Sequence, residues 1–509
     1  MNPFRVTFFT LALLTALCMG WNPAIAGAIP NIVLLMGDDH GWEETGYHGH
    51  PDVKTPVLDQ WAATGLRFDR FHSAHPSCSP TRASSLTGRH PNRMGTFAPG
   101  WSFRPEEITL AHILQKAGFL CGHFGKWHVG AVKKESPVSP GAMGFHAWLS
   151  HDNFFELNPS LSRNGGPPEV FQGESSEILV REAIRFIEEA RQEKRPFFTV
   201  VWFGSPHEPY SGLPADLALY DHLPAKYSTK TVSLTSSETG KSVSRPQGEV
   251  LRARYAEIAA MDRAIGHLRD YLALQGLRND TLLFYCGDNG TSADASLASP
   301  HRGVKGEVYE AGTLVPGLME WPARIKQPRA TTVRTTTSDL LPTICAITGQ
   351  SLPNRPLDGI DLTPLLDGKM TERPVPIQFW NYDFAHARRT HSETYIDPEL
   401  QKGTTPLAKL AGGKATRDFL NLRHPGPIVD ADYRGPRAII DGRYKLVIHE
   451  PEQGESKYEL FDLDSDPAER TDLIARYPDT AESLQRKLRD WQSSVLQSLL
   501  GKDYGKDVP

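Results

Sequence analysis

Short apolar runs alternate along this chain with stretches whose apolar positions follow a helical period. Residues 31–37 (NIVLLMG) are rich in branched side chains, which is typical of a strand buried on both faces of a parallel sheet. Similar runs at 119–124, 197–203 (FFTVVWF) and 281–286 (TLLFYC) predict three more strands. Each run ends at polar residues. The pattern therefore predicts four buried strands with functional groups at their ends.

A helical pattern precedes each of the last three strands. Leu110, Ile113, Leu114 and Ala117 have the spacing of one helix face, and Gly118 ends that helix. The same spacing recurs within 180–187 and, over a longer helix, within 251–272. Alternating helices and strands predict an α/β fold with a large, mostly parallel sheet flanked by helices. In such sheets ligands bind at the carboxyl ends of the strands.

The C-terminal part of the chain has a different pattern. A Pro- and Gly-rich stretch at 351–376 indicates a boundary, so we predict a catalytic domain at 27–370 and a C-terminal subdomain at 371–509. Its predicted elements are a hairpin at 438–448 with a turn at Asp441-Gly442, a strand at 458–463 and a helix at 480–499. They predict a small antiparallel sheet with a closing helix. Residues 211–248, rich in Ser, Thr, Pro, Lys and Gly, are interpreted as a long surface insertion.

The N-terminus has the features of a secretory signal peptide. Arg5 precedes an apolar stretch that extends to about Met19, and Ala24-Ile25-Ala26 resembles a cleavage site. The stretch is shorter than the ~20 residues that a bilayer span needs. We therefore expect residues 1–26 to be removed and the mature protein to be exported, periplasmic or extracellular, without stable membrane anchoring.

Charge and cysteine content narrow the class of protein further. A formal charge of −5 over 509 residues provides no basic surface of the kind that nucleic-acid binding requires, so no nucleic-acid partner is expected. Removal of residues 1–26 leaves four cysteines, Cys78, Cys121, Cys286 and Cys345, too few for a disulfide-built scaffold of this length. Cys121 and Cys286 lie in apolar runs, whereas Cys78 is predicted to lie in a polar loop.

Oxygen-bearing side chains follow two of the predicted strands. Asp38 and Asp39 come after the first strand, and Asp288 and Asn289 after the fourth. Carboxylate and amide oxygens are the ligands of hard cations, whereas no His/Cys grouping indicates zinc. Three carboxylates and an amide favour Ca²⁺, one ion per chain, and would nearly balance its charge. The ion would polarise an ester as a Lewis acid.

The segment around Cys78 carries the most specific motif. Cys78-Ser79-Pro80-Thr81-Arg82, followed by Thr87-Gly88-Arg89, resembles the C-x-P-x-R signature of the formylglycine-dependent (type I) sulfatases of the alkaline-phosphatase-like superfamily. Other segments occur in the family's order, namely Asp38-Asp39, Gly125-Lys126-Trp127-His128, Ser205-Pro206-His207, Asp288-Asn289 and Lys305. The resemblance extends from about residue 32 to the C-terminal helix.

The resemblance implies a reaction and a set of roles. A separate maturation enzyme would oxidise Cys78 to formylglycine, whose hydrate attacks sulfur beside the metal ion. The catalytic residues it implies are Cys78, Arg82, Lys126, His128, His207 and Lys305. Arg82 and Lys126 would hold the formylglycine, and His128 would be the base that releases sulfate. His207 and Lys305 would bind sulfate and protonate the leaving oxygen.

Polar loop residues suggest a hydroxyl-rich, anionic substrate. These residues are His151, Asp152, Asn153, Arg163, Glu208, His301, Arg302, His386, Arg388 and Arg389. We therefore predict a carbohydrate sulfatase that acts on a sulfated galactose or N-acetylgalactosamine unit of a polysaccharide or glycosaminoglycan. Two alternatives remain open: a phosphomonoester or phosphodiester hydrolase of the same superfamily, and a degenerate sulfatase homologue that only binds glycans.

Overall fold

The computed structural model describes residues 29–505 except 236–241, 298, 384–392, 410–412, 425 and 452–453. The predicted signal peptide, residues 1–26, lies outside the described residues. Among the described residues, no helix combines the length and the apolar character that crossing a bilayer requires.

The described strands and helices are as follows, in chain order. The strands are β1 (Asn31–Gly37), β2 (Leu66–Phe68), β3 (Phe71–His72), β4 (Leu120–Lys126), β5 (Ala147–His151), β6 (Ser160–Arg163), β7 (Pro168–Val170), β8 (Phe197–Trp202), β9 (Thr231–Thr235), β10 (Ser242–Pro246), β11 (Thr281–Gly287), β12 (Leu314–Val315), β13 (Gly317–Glu320), β14 (Arg329–Thr331), β15 (Thr335–Thr336), β16 (Ile377–Trp380), β17 (Leu407–Lys409), β18 (Gly413–Ala415), β19 (Arg437–Asp441), β20 (Tyr444–His449) and β21 (Lys457–Asp462). The α-helices are α1 (Pro56–Thr64), α2 (Cys78–Thr87), α3 (Leu110–Lys116), α4 (Ser175–Gln192), α5 (Pro214–Ala218), α6 (Leu223–Lys226), α7 (Gln247–Leu274), α8 (Glu310–Thr313), α9 (Leu340–Thr348), α10 (Thr363–Leu366) and α11 (Pro478–Leu499).

A ten-stranded sheet forms the centre of the molecule, in the order β14-β2-β13-β11-β1-β8-β4-β5-β6-β7. The five central strands, β11-β1-β8-β4-β5, are parallel. Antiparallel pairings involve β13 on one side and β6 and β7 on the other. The α/β fold class, with a large mostly parallel sheet flanked by helices, is therefore confirmed.

Helices cover both faces of the sheet because the central strands are apolar on both sides. In β1, Ile32 and Leu34 pack into one core, which α2, α3 and α9 complete. Val33 and Leu35 point to the opposite face and pack into a second core with α1, α4 and α7. The four predicted strands are present as β1, β4, β8 and β11. The helices predicted before the last three of them correspond to α3, α4 and α7.

Two features of this domain differ from the sequence prediction. The antiparallel strands β6, β7 and β13 were not predicted, because they have three or four residues and lack a long apolar run. The segment 211–248 contains α5, α6 and the β9-β10 hairpin, and its residues Tyr220, Leu223 and Leu234 are buried against α7. The described part of this segment therefore contributes core residues, which corrects its interpretation as a surface insertion.

The C-terminal part forms a four-stranded antiparallel sheet, β16-β19-β20-β21, as predicted for its last three strands. Helix α11 packs on one face, where Leu484 and Leu488 contact Ile439 and Leu446. Gly442 has a positive φ of 57° in the β19-β20 turn, which glycine adopts without strain. The division of the chain at residue 370 stays a prediction.

Candidate active site

The carboxyl ends of neighbouring strands bring the predicted acidic residues together. Asp38 follows β1 and Asp288 follows β11, and these strands are paired in register. The Asp288 N–H donates to the Gly37 carbonyl at 3.0 Å, and the Asp39 N–H donates to Asp288 Oδ1 at 2.9 Å. Strand pairing therefore places three buried carboxylates side by side.

Each of these carboxylates is paired with a cation. Lys126 Nζ lies 2.5 Å from Asp38 Oδ2, at the end of β4. Arg82 Nη2 lies 2.7 Å from Asp288 Oδ2 and Lys305 Nζ lies 2.6 Å from Asp39 Oδ1. Protein cations thus already balance the three acids, which corrects the sequence-based expectation that the metal ion would do so. A bound divalent cation would leave the site positively charged and suited to an anionic substrate.

The acidic cluster has the donor set and the free atoms that a hard cation needs. Among the described residues, Asp38 Oδ1 and Asn289 Oδ1 are buried without a hydrogen-bond partner. Ligand atoms of Asp38, Cys78 and Asp288 lie within 4.8 Å of one another, and so do those of Asp38, Asp39 and His207. Two ligands that are each about 2.4 Å from one Ca²⁺ ion are separated by less than about 5 Å. The cluster therefore fits such an ion.

The pKa of Asp288 also reflects the crowding of the carboxylates. Burial, with Asp38 alongside, raises the pKa of Asp288 to about 7 in the absence of a metal ion. An unpaired buried charge is costly, and a divalent cation removes that cost by favouring the ionised form. The electrostatics and the geometry thus point to the same kind of ligand.

Cys78 is the first residue of the buried helix α2, which corrects the predicted polar loop. The neighbouring polar side chains fix the entry to this helix, since Ser79 Oγ donates to the His128 carbonyl and Thr81 Oγ1 donates to the His75 carbonyl. Burial raises the pKa of the Cys78 thiol despite the nearby Lys126. The site therefore disfavours a thiolate nucleophile, because the thiolate is the reactive form of cysteine.

Two histidines lie at the site in different environments. His128 is buried with a positive φ of 58°, and neither ring nitrogen has a hydrogen-bond partner among the described residues. Burial and then the cations Lys126 and Arg417 lower its pKa, so its imidazole is neutral and can accept a proton. His207 stacks on Phe154 at 4.5 Å, and burial lowers its pKa to about 4.

The predicted substrate-side residues are not gathered at the site as free polar groups. Asp152 is buried and accepts hydrogen bonds from Val132, Thr404 and Thr405. The remaining predicted residues divide into three sets. The first set has partners within the protein: Arg163 pairs with Glu182, Arg302 with Glu459, His301 with the Pro467 carbonyl, and His151 with Pro406 and Asn153. The second set is Glu208, which is partly buried beside His207. The third set, His386, Arg388 and Arg389, lies outside the described residues.

Arg254 is a supporting residue that the sequence analysis missed. From α7 it donates to the Asp39 carbonyl at 2.6 Å and pairs with Glu44 at 2.6 Å. It also donates to the carbonyl of Pro206, next to His207. A fully buried arginine that links two site segments restricts the positions of both. The available signal was a charged residue on the apolar face of a predicted helix.

Comparisons with known proteins identify the family of the chain. The protein-family model described as Sulfatase matches residues 30–350. Arylsulfatase A from Bos taurus is 34% identical over 503 residues, covering 90% of this chain and 86% of that enzyme. N-acetylgalactosamine-6-sulfatase from Canis lupus familiaris is 29% identical, covering 71% of each chain. The crystal structure of Ps i-CgsB in complex with k-i-k-neocarrahexaose superposes with a TM-score of 0.70 at 20% identity, covering 92% of this chain and 94% of that one, a likeness of fold.

Proposed function

This chain belongs to the sulfatase family and is a hydrolase of sulfate esters, and from this premise we propose that its substrate is a sulfated carbohydrate of the galactose or N-acetylgalactosamine type. The observation that carries the proposal is the buried constellation around Cys78, in which three carboxylates face three protein cations. A related enzyme is named N-acetylgalactosamine-6-sulfatase, and a solved neighbour was crystallised in complex with k-i-k-neocarrahexaose. Both support a sugar substrate.

We propose that Cys78 is converted to formylglycine by a maturation enzyme. The raised pKa of the Cys78 thiol supports this modification, because an unmodified nucleophile would need the thiolate form. When formed, the formylglycine hydrate supplies the oxygen nucleophile. Arg82 and Lys126 hold the residue at position 78 in place, and both are fully buried.

We propose that Asp38, Asp39, Asp288 and Asn289, together with the modified Cys78, bind one Ca²⁺ ion. The unpartnered oxygens of Asp38 and Asn289 support this ligand set. When bound, the ion supplies Lewis-acid polarisation of the sulfate group. The oxygen donors favour Ca²⁺ or Mg²⁺ over zinc, and the number of carboxylates favours Ca²⁺.

The remaining residues have roles that follow from their protonation. Burial would lower the pKa of Lys305, but Asp39 raises it, so the ammonium persists and holds sulfate by its charge. His128 is neutral, so we assign it as the base that accepts the proton when sulfate is released. His207 lies 3.7 Å from Asp39, and burial keeps its ring neutral in the free protein. The negative charge of a bound sulfate ester would raise its pKa, so that His207 can bind sulfate and protonate the leaving oxygen together with Lys305.

We also propose that the chain is exported to the periplasm or the exterior of the cell. The proposal is supported by the apolar stretch after Arg5 and the Ala24-Ile25-Ala26 segment. N-terminal sequencing of the protein recovered from its natural host tests this proposal. A mature chain that begins near residue 27 is expected, whereas an intact Met1 in the secreted fraction would contradict cleavage.

The function is tested on protein coexpressed with a formylglycine-generating enzyme. Mass spectrometry of the tryptic peptide 71–82 reports the conversion of Cys78, and ion chromatography reports sulfate release from a panel of sulfated galactose and N-acetylgalactosamine compounds. We expect conversion together with sulfate release, and neither in Cys78→Ala. Full activity with unmodified Cys78 would contradict the nucleophile, and conversion with cleavage of phosphate esters alone would contradict the substrate class.

A further inference from the structure

The segment Gln401–Leu420, here called the covering segment, extends from the C-terminal part onto the catalytic domain. Its first residues are held by Asp152, which accepts from Thr404 N–H at 2.7 Å and from Thr405 Oγ1 at 2.7 Å. Its last residue, Leu420, donates its N–H to the Gly100 carbonyl at 2.9 Å. Both ends of the segment, at Thr404-Thr405 and at Leu420, are therefore bound to residues of the preceding domain.

Backbone contacts fix the position of Arg417 in this segment. Its carbonyl accepts from the Gly403 N–H at 2.9 Å, and its Nη2 donates to the Pro99 carbonyl at 2.7 Å. Gly100 has a φ of +84°, and a Cβ on this glycine would lie 2.1 Å from Arg417 Nη2. The guanidinium therefore depends on the absence of a side chain at position 100.

A short chain of contacts connects Arg417 with the proposed catalytic residues. The Gly100 N–H donates to Ser79 Oγ at 3.1 Å, and Ser79 Oγ donates to the His128 carbonyl at 2.6 Å. Phe419 packs against the His128 ring with 6.3 Å between centroids. The charge of Arg417 reaches the His128 imidazole, since it contributes to the lowered pKa of that ring.

We propose that Arg417 is a specificity-determining residue that binds a second anionic group of the substrate, a carboxylate or a further sulfate on the sugar next to the cleaved ester. This inference rests on the proposed function. Arg417 is only partly buried, whereas Arg82 and Lys126, which face the acidic cluster, are fully buried. Arg417 is therefore closer to solvent than these two cations, and we infer that the part of the substrate beyond the cleaved ester extends towards it.

The chemistry of the side chain favours an anion at this position. A guanidinium has five N–H donors in a planar fork that matches carboxylate and sulfate groups. Charge-assisted hydrogen bonds of this kind are about twice as strong as neutral ones. Arg417 would thus discriminate between sugars that carry one and two anionic groups.

The test uses formylglycine-matured full-length protein and pairs of substrates that differ by one anionic group. Each pair consists of a monosulfated N-acetylgalactosamine and the same sugar linked to an unsaturated uronate, and 4-nitrophenyl sulfate serves as a substrate without a second anion. The sugars are measured both as substrates and as competitive inhibitors of 4-nitrophenyl sulfate hydrolysis. The variants are Arg417→Met, Arg417→Lys and the control Arg423→Met, which changes an exposed arginine of the same region.

We expect the wild type to prefer the uronate-bearing member of a pair, and Arg417→Met to lose this preference by about 10- to 100-fold. Arg417→Lys should retain part of this preference and Arg423→Met all of it. Hydrolysis of 4-nitrophenyl sulfate should change by less than about threefold in Arg423→Met, and in Arg417→Met it should fall by a smaller factor than hydrolysis of the uronate-bearing sugars. An equal loss on all substrates, or no wild-type preference in any pair, would overturn the inference. Absence of wild-type sulfate release from every compound would instead contradict the proposed function.

Discussion

At the scale of single residues, hydrogen bonds within the protein determine which oxygens of the acidic cluster are available to a metal ion. The Asn289 amide donates to Asp39 Oδ1 at 2.8 Å and to the Gly290 carbonyl at 3.0 Å, so that its Oδ1 remains for a ligand. Lys126 occupies one oxygen of Asp38 and leaves the other without a hydrogen bond. The hydrogen bonds of the protein thus orient the oxygens that we propose as metal ligands.

Replacement of Asn289 by Ala should weaken calcium binding. The variant loses one proposed ligand atom and one donor to Asp39, and we expect the calcium affinity to fall by at least about 10- to 100-fold. The midpoint of thermal unfolding, measured over a calcium titration after chelation, reports this change. Asn279→Ala, in an exposed turn, is the matched control and should titrate like the wild type. An unchanged calcium dependence in Asn289→Ala would remove this residue from the ligand set.

The sequence predicted the location of a polar residue where that residue lies at the end of an apolar strand, and the roles of these residues stay predictions. Asp38, Asp288 and Lys126 come together because neighbouring parallel strands end at one edge of the sheet. Arg254 and Arg417 were missed because they reach the site from a long helix and from the covering segment. Their contacts depend on tertiary packing between distant parts of the chain, and sequence periodicity carries no information on such contacts.

At the scale of elements, the loop that carries Lys305 is held by the C-terminal sheet. Lys445 on β20 is fully buried and lies 2.8 Å from Glu310 and 2.9 Å from Glu469. The Glu310 N–H donates to Glu469 at 2.7 Å. The C-terminal sheet therefore fixes the end of the loop from which Lys305 reaches Asp39.

Lys445→Met should reduce both stability and turnover. Removal of the lysine leaves two carboxylates buried without their cation, which typically costs about 3–5 kcal/mol. We expect the urea midpoint to fall by a corresponding amount, and kcat to fall because the Lys305 loop loses its anchor. Lys457→Met is the control, since Lys457 on β21 pairs with Glu459 while 58% exposed and should change stability by less than about 1 kcal/mol. Equal stability of the two variants would show that the buried cluster does not anchor the loop.

The end of β4 depends on a close approach of two strands at Gly125. Its φ is +106°, and a Cβ there would lie 2.0 Å from the Trp202 carbonyl oxygen. Gly125→Ala should therefore destabilise the protein by more than about 4 kcal/mol and displace the neighbouring Lys126. Gly118 has a similar φ of +91°, but a Cβ there would meet open space. For Gly118→Ala we therefore expect only the backbone strain of about 1–2 kcal/mol. Chemical denaturation of both variants separates the two effects, and a similar loss in both would contradict the steric argument.

At the scale of the whole molecule, the long apolar runs predicted the central strands of the large sheet. The strands at the edges of the sheets depend on tertiary packing and were not predicted. Strands β1, β8 and β11 were predicted because each is a continuous apolar run. The order β11-β1-β8-β4 was not predicted, since it depends on how the helices cross between strands. Strand β16, which pairs with β19, was also missed because it has only four residues and follows a Pro-rich stretch.

A buried ion pair joins the catalytic domain to helix α11. Asp358 pairs with Arg93 at 2.8 Å and accepts from Trp491 Nε1 on α11 at 2.8 Å. Arg93 also donates to Ser494 and Ser498 of the same helix. Burial alone would raise the pKa of Asp358, but Arg93 and the His90 N–H hold it well below its usual range. The ionised carboxylate is therefore part of the contact between the two parts.

Asp358→Asn should destabilise the protein in a pH-dependent manner. A carboxyl whose pKa is lower in the folded state contributes stability above its unfolded pKa of about 3.9, and this contribution is lost as the pH falls towards the folded pKa. The difference in unfolding free energy between wild type and Asp358→Asn should thus be largest above about pH 5 and shrink steadily below about pH 4. Asp367→Asn is the control, because Asp367 pairs with Arg324 at an exposed site and should contribute less than about 1 kcal/mol at neutral pH. Urea denaturation between pH 3 and pH 7 measures both, and a difference for Asp358→Asn that stays constant with pH would show that the carboxylate charge does not hold α11 in place.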